Sequence, residues 1–280
     1  MPTTYTHNKF GSLCIEVMPP EYKTIVEKYR ELFDIGVHGP DFFFYNLKEP
    51  EVSAYGYDMH YAPARSFFER CRIVYKTHEE KEAILAYSLG FLTHFALDST
   101  CHSYVYAKQN ASNLTHSKVE AEFDRYLIVQ EGKKPYKVRL GKLINPSKNN
   151  AKIISYFFPH SEETIHKTLK YMRLFVTILS PSNKLNKKII LGICKITKND
   201  YYADMIMGDK EDEACKDSNL RLEKLMYKAQ ELYSKLLSSF IGYIKNNKEL
   251  IDYFDRTYDK QKDYYKIPVL SYDEEINYKV

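Results

Sequence analysis

Three residues one helical turn apart, His94, Asp98 and His102, interrupt an apolar run in the segment THFALDSTCH, residues 93–102. Imidazole nitrogen and carboxylate oxygen are groups that bind metal ions. Four helical positions advance a residue by about 6 Å and turn it about 40° past a full turn. The three side chains therefore share a face, while the two histidines stand roughly 12 Å apart along the axis. They cannot easily hold one ion between them. The aspartate can share an ion with either neighbour, and its two oxygens allow it to bridge two.

An ionised carboxylate on an apolar helix is costly to bury unless it is paired or metal-bound. No Lys or Arg occurs between Lys81 and Lys108, although Arg70, Arg72 or a more distant lysine could supply a partner. With nine histidines and 37 acidic residues, chance gives about one His-x-x-x-acid pair and only ~0.04 His-x-x-x-acid-x-x-x-His triples. The chain has the triple and two further pairs, His116/Glu120 and His78/Glu82. Metal binding is thus favoured over a satisfied core aspartate with incidental histidines. His78/Glu82, in a polar helix start, reads as solvated surface.

The elements that must position these residues are helical. Pro19-Pro20 opens a helix through EYKTIVEKYRELFDIG, with Ile25, Tyr29, Leu32 and Phe33 on one face and Gly36 at its end. A turn-rich segment, GVHGPDFFFYNLKEP, precedes a second helix, YAPARSFFERCRIVYK. The third, EEKEAILAYSLGFLTHFALDSTCHSYVYAK, is apolar nearly all round from Ala83 to Leu97, the pattern of a central buried helix. THSKVEAEFDRYLIVQEG is amphipathic, a basic loop spans 133–149, and further helices fit 161–179, 183–195 and 216–246. Residues 256–280, rich in Tyr, Asp and Lys, suit an extended surface tail. Strand alternation with hairpin signals is scarce. The expected fold is all-α: one domain over 1–280 around a central helix carrying metal ligands, with a metal-ligand half, 1–130, and a helical completion and tail, 131–280.

Composition narrows the function classes. The +4 net charge, from 41 basic and 37 acidic residues, is too weak a bias to argue for a stable nucleic-acid complex. No apolar stretch approaches the ~18 residues of a membrane span, and no signal peptide is visible in MPTTYTHNKF. Five scattered cysteines without a C-x-x-C pair suit neither a disulfide framework nor a cysteine zinc knuckle. A reduced, cytoplasmic setting is expected.

The order of THNKFG at 6–11, GPDFFFY at 39–45, GYDMH at 56–60, GFLTHFALDSTCH at 90–102 and THSKVEAEFD at 115–124 resembles the zinc-dependent phospholipase C family. The zinc-dependent single-strand nucleases are more remotely similar. The resemblance implies an all-α protein with a cluster of up to three zinc ions. By matching position, Asp41, His60, His94 and Asp98 would form one site, and His102, His116 and Glu120 a second. Asp98 would reach a third ion with His7. In the better-known secreted members the aspartate and the next ligand histidine are six positions apart, not four, and the amine of a processed N-terminus completes the third site. This chain begins Met1-Pro2, so two zinc ions are expected and the third is left open.

The resemblance further implies a hydrolase that activates water against a phosphodiester, with Asp41 placed to take the water proton. The substrate would be a phospholipid, cleaved to diacylglycerol and a phosphorylated headgroup, or a smaller phosphoester. A nuclease or nucleotide phosphoesterase, and a non-catalytic protein stapled by zinc, are the alternatives. Around the site, His38 suits a supporting or loop role, and Asp58 suits orienting His60 or capping a turn. Asp124 suits a supporting partner of His116/Glu120 or a surface acid. His160 and His166 are expected to face solvent, and the basic loop to be solvated rather than set against phosphate.

Overall fold

The computed structural model describes residues 4–280. Its α-helices, in chain order, are α1 (Thr4–Glu16), α2 (Pro20–Lys28), α3 (Arg30–Gly36), α4 (Pro50–Tyr61), α5 (Arg65–Thr77), α6 (Lys81–Ala111) and α7 (His116–Gln130). There follow α8 (Lys148–Ser155), α9 (Glu162–Leu179), α10 (Lys184–Ile196), α11 (Asp200–Asp204), α12 (Lys216–Asn246) and α13 (Tyr272–Asn277). Short 3₁₀ turns join several of them, and among the described residues there is no strand, only an isolated bridge between Pro63 and Thr257. The all-α expectation holds.

α6 organises the rest. It contains no proline, and its residues are buried without a break from Ala83 to Ser99, as befits a helix with no polar face. At 31 residues it runs about 46 Å through the molecule. α12 and α3 lie along it, and α1, α2, α5 and α7 complete the wrapping. The α3 contact is backbone against backbone. A Cβ on Gly36 would stand 2.5 Å from the Tyr87 carbonyl oxygen, and one on Gly90 would overlap the Phe33 carbonyl.

Four sequence expectations change. The helix read as continuous from Pro20 to Gly36 is broken at Tyr29 (φ −115°, ψ 42°), which lets α2 and α3 each lie on α6. Tyr22 and Val26, rather than Ile25 and Tyr29, are the buried residues of the first piece. α1 and α4 carry no apolar stripe to announce them, because their inward positions are partly polar or small: Thr6 and His7 on α1, and Val52, Gly56 and His60 on α4. α8 begins inside the expected basic loop.

The fourth change concerns the tail. Residues 256–259 are a strap rather than surface packing. Ala64 donates its backbone N–H to Arg256 (2.9 Å) and Asp259 donates to His60 (3.3 Å), while Tyr258 is buried. Farther on, Glu275 is fully buried and paired with Arg221 at 2.6 Å.

The glycine contact gives a first prediction. Gly90→Ala pushes a methyl into backbone that can yield only by separating α3 from α6, so it should cost about 1–3 kcal/mol. Gly192→Ala, in α10 with nothing within 4 Å of its Cβ, should instead gain up to about 1 kcal/mol of helix propensity. Thermal unfolding followed by circular dichroism checks both; equal midpoints would refute the close-contact reading.

Candidate metal centre

Four elements bring their polar side chains to α6. α1 presents His7, the turn at Asp41–Tyr45 presents Asp41, α4 ends on His60, and α7 offers His116 and Glu120. The ligand atoms of Asp41, His60, His94 and Asp98 lie within 4.8 Å of one another, as do those of His102, His116 and Glu120. These are the two groups expected from the sequence, and the two α6 histidines fall in different ones. The four-residue step from Asp98 therefore still delivers His102 to the second group.

Distances within the groups suit an ion. Ligands about 2.1 Å from a tetrahedral zinc stand about 3.4 Å apart. His60 Nε2 is 2.9 Å from Asp41 Oδ1, and His94 Nε2 is 3.1 Å from Asp98 Oδ2 and 3.9 Å from Asp41 Oδ1. In the second group, Glu120 Oε1 is 3.0 Å from His116 Nε2 and 3.5 Å from His102 Nε2. Asp98 joins the groups: Oδ2 lies 3.7 Å from His102 Nε2, and Oδ1 faces His7 Nε2 at 3.4 Å. His7 thus reaches Asp98 as the family resemblance implies. Met1-Pro2, on which the expectation for the third site turned, lies outside the described residues.

The clearest sign of a missing partner is the set of orphaned atoms. Asp41 Oδ1, His60 Nε2, His94 Nε2, Asp98 Oδ2, His102 Nε2 and Glu120 Oε2 are buried and make no hydrogen bond. Buried polar atoms are nearly always satisfied, so a cluster of facing orphans is the pattern a cation would complete. The surrounding shell fixes their aim. His60 Nδ1 donates to the Gly56 carbonyl (2.7 Å) and His102 Nδ1 to the Tyr258 carbonyl (2.9 Å). Each ring therefore turns its Nε2 inward, toward the carboxylates of the centre. The His94 ring stacks on His7 at 4.6 Å and fills the space a Cβ on Gly39 would take. Gly39 itself has φ +51°, a conformation glycine adopts without strain.

The electrostatics follow from burial without nearby lysine or arginine. Among the described residues, the only cations within ion-pair distance of Asp41, Asp98 and Glu120 are histidines. Burial opposes the charge of Asp98, but His102, His94 and His7 outweigh it and its pKa falls; Asp41 and Glu120 are lowered in the same way. Burial opposes the charge of His102 too, yet Asp98 and Glu120 lift it to about 10. His7 goes the other way, to about 4, because burial dominates there.

Several supporting residues resolve as well. Asp124, buried, accepts from the backbone N–H of Tyr5 (3.1 Å) and Thr6 (2.8 Å) and from the Thr6 hydroxyl (2.6 Å), tying α1 to α7. Burial, only partly offset by those bonds, pushes its pKa to about 7. His38 is buried against Asn8 at 3.2 Å, a supporting position. Asp58 is exposed and the Gly56 carbonyl, not Asp58, orients His60. His160 is half-buried against Phe43 and Tyr55 rather than solvent-facing, and His166 is half-exposed. Glu82 pairs with Lys28 while His78 stacks on Tyr156, so that pair forms no site. Tyr258, Asp259 and Gly39 escaped the sequence reading, the first two because nothing in the tail links it to the ligand motifs 140 or so residues earlier.

Proton release follows from these shifts. With its pKa at about 10, His102 is protonated at pH 7 and must lose that proton to become a ligand. Zinc added to chelator-stripped protein at pH 7 should therefore release protons. Its apparent affinity should climb about tenfold per pH unit for each proton displaced, levelling off above the His102 pKa. Calorimetry in buffers of different ionisation enthalpy counts the protons, and zero release would contradict the assignment of His102.

No curated protein and no solved structure matches the chain. The family model for zinc-dependent phospholipase C matches residues 6–171. That segment exceeds half the chain, runs from the first turn of α1 into α9, and contains every residue of both groups. The chain belongs to the zinc-dependent phospholipase C family.

Proposed function

We propose that this protein hydrolyses phosphodiesters of the phospholipid type, with one zinc held by Asp41, His60, His94 and Asp98 and another by His102, His116 and Glu120. The observation that carries the reading is the pair of His/Asp/Glu groups that meet at Asp98, the first with unpartnered buried ligand atoms on all four of its residues. A third position between Asp98 and His7 is compatible with their 3.4 Å approach. Family membership supports zinc as the metal and a lipid as the substrate class.

When bound, zinc supplies Lewis acidity that acidifies water and offsets negative charge on phosphoryl oxygens. The protein's own groups do the rest. Asp41, its pKa lowered by His94 and His60 against the opposing effect of burial, is ionised at neutral pH and takes the proton of the attacking water. The new bond is water oxygen to phosphorus, and the bond broken is phosphorus to the glycerol oxygen. Beside the centre, Phe44 packs on His60 at 5.0 Å and opens a small cavity with Tyr57, Phe175, Tyr201 and Tyr202. Its aromatic walls suit the apolar part of a lipid; they would also stack a nucleobase, so single-stranded DNA belongs among the substrates tested. All five cysteines are free and buried, and among the described residues no helix is long and apolar enough to cross a membrane.

The test starts with elemental analysis of protein purified without chelator, where two or more zinc ions per chain are expected. Hydrolysis of a chromogenic phosphodiester and of phosphatidylcholine follows. Asp41→Asn should lower kcat by roughly 10²–10⁴. Asp98→Asn should lose zinc from both groups and, with it, the rise in unfolding temperature that added zinc gives the parent protein. A fully metallated, unperturbed Asp98→Asn protein would remove the bridge from the scheme. Zinc retained without hydrolysis of any substrate would favour the structural staple.

A further inference from the structure

α10 is an amphipathic helix turned inside out. Its sole fully buried residue is Cys194, while Leu185, Ile189, Ile193 and Ile196 are 53–84% exposed. At 100° per residue these four fall within about 80° of one another, and Lys184, Lys188 and Lys195 run along one border of the stripe. The helix has no acidic residue. Lys187 turns away to Asp209 (3.0 Å) and the Met207 carbonyl, whereas the three border lysines make no ion pair among the described residues. α9 extends the apolar surface with Leu174 and Ile178, exposed one turn apart.

Between these helices lies a cavity of about 560 Å³, walled by Ile178, Ile189 and Ile190 and by the cations Arg139, Lys142 and Arg173. No acidic side chain lines it. Two of those cations come from the basic loop that the sequence suggested was merely solvated. An apolar stripe bordered by lysines, beside a basic cavity, matches the two halves of an anionic lipid: acyl chains below the headgroup plane and negative charge within it. Charge complementarity decides the occupant, because a purely apolar partner would leave six cations unexplained.

We infer that α10, with the adjoining end of α9, docks this protein on anionic lipid surfaces. Its helical part, α10 and the end of α9, lies beyond residues 6–171, the segment matched by the family model, while Arg139 and Lys142 lie within it. It is also tied to the centre: α10 leads through three residues into α11, whose Tyr201 and Tyr202 wall the aromatic cavity beside His60 together with Phe175 of α9. Docking therefore sets that cavity against the lipid. The inference extends the lipid reading of the substrate, but adsorption itself requires neither zinc nor turnover.

The test separates the two. Vesicles of galactosyl diacylglycerol doped with sulfoquinovosyl diacylglycerol present an anionic surface with no phosphoester to cleave. The intact protein should co-sediment with them, lose binding when the sulfolipid is omitted, and bind less at high salt. Ile189→Asp/Ile193→Asp should weaken binding at least roughly tenfold, and Lys188→Glu/Lys195→Glu by about fivefold per lysine or more. Both variants should keep the parent unfolding temperature and the parent rate on a soluble chromogenic phosphodiester. Failure of the parent protein to bind the doped vesicles overturns the docking surface, whatever its activity. So does a concentration-dependent dimer that Ile189→Asp/Ile193→Asp dissolves while vesicle binding is unchanged, since a second copy would then cover the stripe. Loss of hydrolysis with vesicle binding intact would count against the phosphodiesterase reading alone.

Discussion

Burying three carboxylates in a helical core costs several kcal/mol apiece unless their charge is met on the spot, and here the nearest lysines and arginines are out of reach. Asp98 sits where that constraint is tightest, on a helix buried all round, with three histidines converging on its two oxygens. Much of the architecture serves to hold that convergence. Gly39 leaves room for the His94 ring, and the Gly56 and Tyr258 carbonyls orient His60 and His102. Asp124 draws the start of α1 onto α7 and so delivers His7. None of these residues needs to touch an ion, yet each fixes a ring or backbone that would.

The tail shows how far such support reaches. Tyr258 contributes a carbonyl to His102 and a buried ring to the surroundings of His60 and His94. The strap is pinned to the α4–α5 connection through Ala64 and to α6 through Ser103, which accepts from the Gln261 N–H at 2.9 Å. The buried Arg221–Glu275 pair then anchors the last helix to α12. A buried pair of this kind adds little net stability, but breaking either half strands a charge. The chain's end is thereby held in one place, and with it the carbonyl that sets the His102 tautomer.

What the sequence disclosed, and what it did not, follows from this division. α6 was legible because its apolar residues leave no polar face, and its ligands were legible because histidine and aspartate at four-residue spacing stand out within it. α9, α10 and α12 were legible from ordinary amphipathic periodicity. α1 and α4 were not, since Thr6, His7, Gly56 and His60 occupy inward positions where apolar residues would have marked the helix. Asp41 and His60 entered through family resemblance, because neither lies at regular spacing from the α6 ligands. The role of the strap had no local signal: Tyr258 acts through a backbone carbonyl, which every residue has, and only tertiary packing brings it to His102. The break at Tyr29 was likewise invisible, being a choice of backbone angles that lets two short helices follow α6.

The two ligand groups differ in a way that bears on chemistry. Every side chain of the first is at most 7% exposed, whereas His116 in the second is 19% exposed. A catalytic zinc site keeps a position open to water or substrate, while a closed set of protein ligands serves structure. The gradient puts the accessible side of the centre at His116. Tyr201 from α11 stands near enough to feel the charges of Glu120 and Asp41, and burial together with its neighbour Tyr57 raises its own pKa. Its hydroxyl stays protonated, a hydrogen-bond donor near both groups. Within the second group only His116 is more open; His102 and Glu120 are 4% and 5% exposed, as buried as the first group.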